Sequence, residues 1–161
     1  MKSVCFSGHR RLKITKEMKL FLYYKICELV ENGCDNFYAG GALGWDMLCE
    51  ETIINLKKEK YPHIHLNLIL PCPPEEQTLK WSQKDIKRYQ NIISQSDYIF
   101  TVSDSYYDGC MKERNELMLK LCDCLVCYFN PKRFASGTGQ TVRMAEKKGI
   151  RIFNLFNDTV T

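Results

Sequence analysis

The chain has 161 residues, a formal net charge of +4 and charged side chains at 26% of its positions. That suits one folded domain and excludes a disordered or low-complexity polymer. The small positive excess permits an anionic ligand but falls short of the concentrated Lys and Arg typical of nucleic-acid binders. No apolar run is long enough to cross a bilayer, and the polar residues 8–13 follow the first apolar run too closely for a secretory signal. The expected location is a reducing cytoplasm, with no membrane partner and with the nine cysteines held as free thiols.

In chain order, residues 4–7 read as a short buried strand. Thr15 is a candidate N-cap for a helix with Met18, Leu22, Ile26, Leu29 and Val30 at helical spacing, and Gly33 fits its stop. Residues 36–39 form a second strand, 45–60 a helix, and 64–70 an apolar central strand that stops at Pro71. Pro73 and Pro74 followed by Glu75 and Glu76 mark a helix start, with helix resuming or continuing over 82–96. Strands follow at 98–102, 124–129 and 150–156, and helices at 111–121 and 139–148, the last stopped by Gly149. Strands separated by helices give an α/β architecture for a single domain, 1–161. Its sheet is mainly parallel and carries helices on both faces.

Four polar or glycine-rich stretches each follow a strand: 7–10, 40–44, 103–109 and 136–139. Ligands of open α/β sheets bind beyond the carboxyl ends of the strands, so all four are expected at one rim. Ser7 and His9 can donate or accept hydrogen bonds there. Gly8 lets the backbone come close, and Arg10 can meet a phosphate or stack on a base. Arg11 and Lys13 read as solvated. Gly40, Gly41, Ala42 and Gly44 can turn tightly and offer amides to an anion at the N-terminus of the following helix. The same glycines also fit a plain turn with a helix cap.

Asp46 and Glu50 lie one turn apart on that helix. They fit dipole compensation, hydrogen bonding to ribose hydroxyls, or catalysis. Ser136, Gly137, Thr138 and Gly139 offer amides and hydroxyls to phosphate oxygens, or serve as an N-cap. Arg114 suits bidentate phosphate contact and Asn115 suits a base or sugar; a solvated helix face is the alternative. The Cys122, Cys124 and Cys127 spacing hints at a metal site. However, Cys124 and Cys127 fall on opposite faces of a strand, so no metal is expected. His63 and His65 read as structural. Cys72 reads as an exposed thiol with no base identifiable beside it.

The stretches "FSGHR", "YAGGALGWD", "YYDGCMKERNELMLKLCDCLV" and "SGTGQTVRMAEKKG" together resemble the SLOG superfamily in its small stand-alone YpsA-like branch. Relatives of that branch include the DNA-processing protein DprA, the Lonely Guy (LOG) phosphoribohydrolases and SLOG sensor domains. The resemblance covers essentially the whole chain. It implies a Rossmann-like three-layer sandwich that binds a nucleotide or nucleotide-derived ligand at the rim, such as an ADP-ribose-like molecule, and it implies homo-oligomers.

Residues 111–118 resemble the LOG helix M-x-x-R-K-x-x-M, with Arg114 in place of the catalytic or phosphate-binding arginine. Where LOG proteins carry two glutamates after their P-G-G-x-G-T loop, this chain has Val142 and Arg143. The expectation is therefore a binding protein, a sensor or sequestering module needing no cofactor beyond its ligand. The second reading is hydrolysis or transfer at an N-glycosidic bond with Asp46 or Glu50 in the catalytic role. The third is single-stranded DNA binding as in DprA, with Trp81, Tyr106 and Tyr107 as stacking platforms. The mild charge argues against nucleic acid.

Overall fold

Thr15 caps the first helix as its sequence requires: its Oγ1 accepts from the Met18 amide at 3.2 Å. That helix, α1 (Lys16–Glu31), follows β1 (Ser3–Gly8) and buries Met18, Leu22, Ile26, Leu29 and Val30 before Gly33 turns the chain at φ 101°. β2 (Asn36–Ala39), α2 (Trp45–Glu59) and β3 (His65–Leu70) come next, then the single-turn α3 (Pro74–Gln77) and α4 (Gln83–Ser94). β4 (Tyr98–Thr101), α5 (Cys110–Leu121), β5 (Cys124–Tyr128), α6 (Gly137–Lys148) and β6 (Arg151–Asn154) complete the order. The computed structural model describes residues 2–156, so residue 1 and residues 157–161 of the assigned domain lie outside the described residues.

Two local features depart from the reading of the sequence. α6 begins at Gly137, ahead of position 139, because Ser136 Oγ accepts from the Gly139 amide at 3.1 Å and draws Gly137 and Thr138 into the first turn. Ahead of it, Pro131–Arg133 form a 3-10 turn steadied by Asn130 Oδ1, which accepts from the Lys132 amide at 3.0 Å. Apolar periodicity has no means of signalling so short a polar turn.

The six strands form one all-parallel sheet in the order β4-β3-β2-β1-β5-β6. The chain moves outward from β1 to β4, then returns to the far side of β1 for β5. Helices cover both faces, α1, α2 and α4 on one and α5 and α6 on the other, which gives the Rossmann-like sandwich. Side chains alternate as the strand period requires. Val4, Phe6, Cys124 and Val126 enter the core under α1 and α2, while Cys5, Leu125 and Cys127 enter the core under α5 and α6. Cys124 and Cys127 thus face opposite ways, and burial pushes both thiols up to about 12.

The reversal of strand order between β1 and β5 opens a crevice at their carboxyl ends, the usual ligand position in such sheets. Among the described residues, no helix is long and apolar enough to cross a membrane.

Candidate functional site

A cavity of about 420 Å3 occupies the β1/β5 crevice. Its walls come from the loop after β1, the loop before α2, the first turns of α5 and the β5–α6 connection. Of the residues singled out in the sequence, Ser7, Gly8, His9, Arg10, Ala42, Asp46, Arg114, Asn115, Ser136, Gly137 and Thr138 line it. Gly40, Gly41, Gly44, Gly139 and Glu50 do not; they stand behind the wall and shape it.

The glycine loop shows how. The Gly41 amide donates to Glu50 Oε1 at 3.1 Å, and the Ala42 amide to Asp46 Oδ2 at 3.2 Å. These amides are therefore turned toward the protein's own carboxyls and are not free for a phosphate. The Gly40 carbonyl accepts from Arg114 Nη1, and a Cβ on Gly40 would lie 2.6 Å from Arg114 Cζ. Gly44 has φ +76° and ψ −116°, and a Cβ there would meet the His9 carbonyl at 2.6 Å. On β1, a Cβ on Gly8 would overlap the buried Trp45 ring. These glycines are needed for close approach within the chain.

Arg114 is 4% exposed. Besides its bond to Gly40, its Nε donates to Asn115 Oδ1 at 2.7 Å. Among the described residues, Asp46, 5% exposed, is the one carboxylate on the cavity wall, and Glu50 behind it is fully buried. Burial pushes both carboxyls up. Arg114, the Ala42 amide and Arg10 pull Asp46 back down, whereas the neighbouring Asp46 drives Glu50 further up.

Cations share the cavity wall with Asp46. Arg10 lies against the Met111 sulfur, and Arg133 Nη1 donates to the Arg11 carbonyl at 3.0 Å. Arg11 is exposed, as its sequence setting suggests, and it also lines the cavity. Arg133 was not legible from motifs. Its only signal is its place in a polar loop after a central strand, on the rim where ligands bind.

His9 Nε2 accepts from the Asn130 amide at 3.0 Å, so the ring is neutral, carries its proton on Nδ1 and braces the β1 loop against the β5 loop. Burial, with Arg133 nearby, lowers its pKa from 6.5 to about 4. An NMR titration should find the His9 midpoint near 4. The unfolded chain takes up this proton at about 6.5, so its share of stability is complete above that pH and is lost as pH falls toward 4. A midpoint still near 6.5 would show that the ring is not engaged in this way.

The family model YpsA, the YspA SLOG family, matches residues 5–158. The chain belongs to the YspA SLOG family. It is similar to UPF0398 proteins of several bacteria. One, from Brevibacillus brevis, is 28% identical over 86% of this chain and 73% of its own length. Another, from Staphylococcus epidermidis, is 27% identical over 84% of this chain and 77% of its own. A third, from Halalkalibacterium halodurans, is 28% identical over 76% and 64%.

Several expectations for this YspA SLOG chain are redrawn by the geometry. Cys72 is fully buried, not exposed, and burial beside Cys110 raises its pKa, which removes it as a thiol nucleophile. The 103–109 loop leaves the edge strand β4 and stays outside the cavity. Its Tyr106 amide donates to Glu76 Oε2 at 2.6 Å, and only α5 beyond it reaches the site. Tyr106 and Tyr107 are exposed away from the cavity walls, and Trp81 packs 5.2 Å from Tyr89. Where LOG proteins have glutamates, Val142 is in the core and Arg143 donates to the Phe134 carbonyl at 2.7 Å.

Proposed function

We propose that the protein binds a nucleotide or nucleotide-derived small molecule in the β1/β5 cavity, as a sensor or sequestering module. One observation carries this reading. Arg10, Arg11, Arg114 and Arg133 and the first turn of α6 line one cavity that, among the described residues, holds a single carboxylate, Asp46. An anionic group is favoured between the guanidiniums and the helix N-terminus. The cavity's size, about 420 Å3, lies within the range of small-molecule sites. Membership of the SLOG family supports the same reading.

Asp46 on the wall favours a second reading, in which a bound nucleotide is hydrolysed with Asp46 as acid or base. The positions of Val142 and Arg143 weigh against a LOG-type mechanism.

AMP and ADP-ribose are expected to raise the melting temperature in proportion to the logarithm of their concentration. Arg133→Ala should weaken binding by about 1.5–3 kcal/mol, as for a hydrogen bond to a charged group. No shift with any nucleotide at millimolar concentration would reject the reading. Release of free base, abolished by Asp46→Asn, would put hydrolysis in its place.

A further inference from the structure

Beneath the cavity lies a pair of carboxyls that share one cation. Asp46 and Glu50 project from consecutive turns of α2 and accept from adjacent amides of one loop, those of Ala42 and Gly41. Arg114 is the buried guanidinium beside them. The other charged or titratable groups facing the pair are accounted for. Glu51, next on α2, is paired with Arg88 of α4. The Tyr89 hydroxyl of α4, which also faces Glu50, donates its proton to Gln77 Oε1 at 3.0 Å. Cys49 of α2 is buried, and burial, with Asp46 beside it, pushes its thiol well up. Arg10, from the β1 loop, adds its charge on the cavity side of Asp46.

Two ionised carboxylates, both buried, would exceed the buried positive charge by one. The position of the surplus is visible in the hydrogen bonds: Glu50 Oε2 is fully buried and has no partner among the described residues. An ionised oxygen there would be an uncompensated charge, whereas a proton on it removes that charge.

We infer that Glu50 holds a proton and thereby leaves Asp46 as the single ionised carboxylate among the described residues at the cavity, so that the site selects ligands bringing a hydrogen-bond donor as well as an anion. Glu50 is a positioning residue in this arrangement: it acts through Asp46 and touches no ligand. The second half of the inference rests on the proposed nucleotide site; the first half does not.

The consequence for pH has a definite sign. As pH rises through the ionisation of Glu50, a second negative charge appears under the cavity and anion binding weakens. Two measurements test the inference. In wild-type protein without ligand, the carboxyl 13C shift of Glu50 should stay at its protonated value at pH 7. A Glu50 already ionised at that pH overturns the proposal, and this readout requires no variant to fold.

The second is calorimetric titration with AMP and with sulfate, which brings an anion and no donor. Asp46→Asn should weaken AMP about tenfold or more and leave sulfate unweakened, since a negative charge has been removed. In Glu50→Gln the loss of AMP affinity at alkaline pH should disappear. Equal weakening of AMP and sulfate by Asp46→Asn, or an alkaline loss that persists in Glu50→Gln, overturns the selection of donors. If AMP fails to bind the wild type while Glu50 is protonated, the nucleotide reading and the selection of donors fall, and the proton-holding pair stands.

Discussion

Arg114→Ala is expected to cost about 3–5 kcal/mol of folding stability, the range for removing one member of a buried charge group. Arg114 is the buried counter-charge of Asp46 and Glu50, and it donates to the Gly40 carbonyl. Without it, the Asp46 charge loses its buried cation and Gly40 O loses its guanidinium donor. Urea denaturation at pH 7 measures the loss. A change below about 1 kcal/mol would mean that surface pairing, not a buried cluster, describes this residue. Ligand affinity should fall as well, by about 1.5–3 kcal/mol where an anion meets the guanidinium. Because both effects occur together, affinity has to be read at a temperature where the variant is folded. Arg133→Ala is the cleaner probe of binding, since Arg133 is exposed at the end of the 3-10 turn.

Gly44→Ala should be nearly as damaging, on the order of 3 kcal/mol, from backbone strain and overpacking together. Its φ of +76° with ψ −116° is costly for any residue with a Cβ, and that Cβ would press on the carbonyls of His9 and Arg10. The Trp45 amide donates to the same His9 carbonyl at 3.2 Å, so the start of α2 and the end of the β1 loop would be forced apart together. Gly137→Ala is the control. No atom lies within 4 Å of a Cβ there, and its stability should stay within about 0.5 kcal/mol of wild type. Thermal melts of the two variants side by side decide the matter. Equal melting points would show that Gly44 is free to move.

The elements were legible because their signals are local. Thr15, Ser82 and Ser136 cap helices by bonds to amides three residues on. The apolar residues of α1 repeat with the helical period and are buried together. The site was legible in outline through the loops after β1 and before α2 and α6, and through Arg114. It was not legible in its details. Gly8 does line the cavity, but that its bare Cα is also needed to make room for Trp45 is visible only in the fold. Gly41 reads as an anion donor until Glu50 is found to take its amide. Arg133 carries no motif, and its role comes from the Arg11 carbonyl that holds it.

The sequence by itself determined the alternation of strands and helices, their caps and stops, the family, and the stretches from which a rim site is built. These follow from periods of two and 3.6 residues and from side chains bonding within one turn. Only the tertiary structure decided that β5 returns to lie beside β1, that His9 holds the Asn130 amide, and that Arg114 reaches Gly40. It alone separated Asp46, open to the cavity, from Glu50, sealed behind it. The physical reason is that these contacts join residues far apart in the chain, and α2 carries both carboxyls on one face with the same local signal. Which of them is ionised depends on the charges and water that the folded chain brings to each.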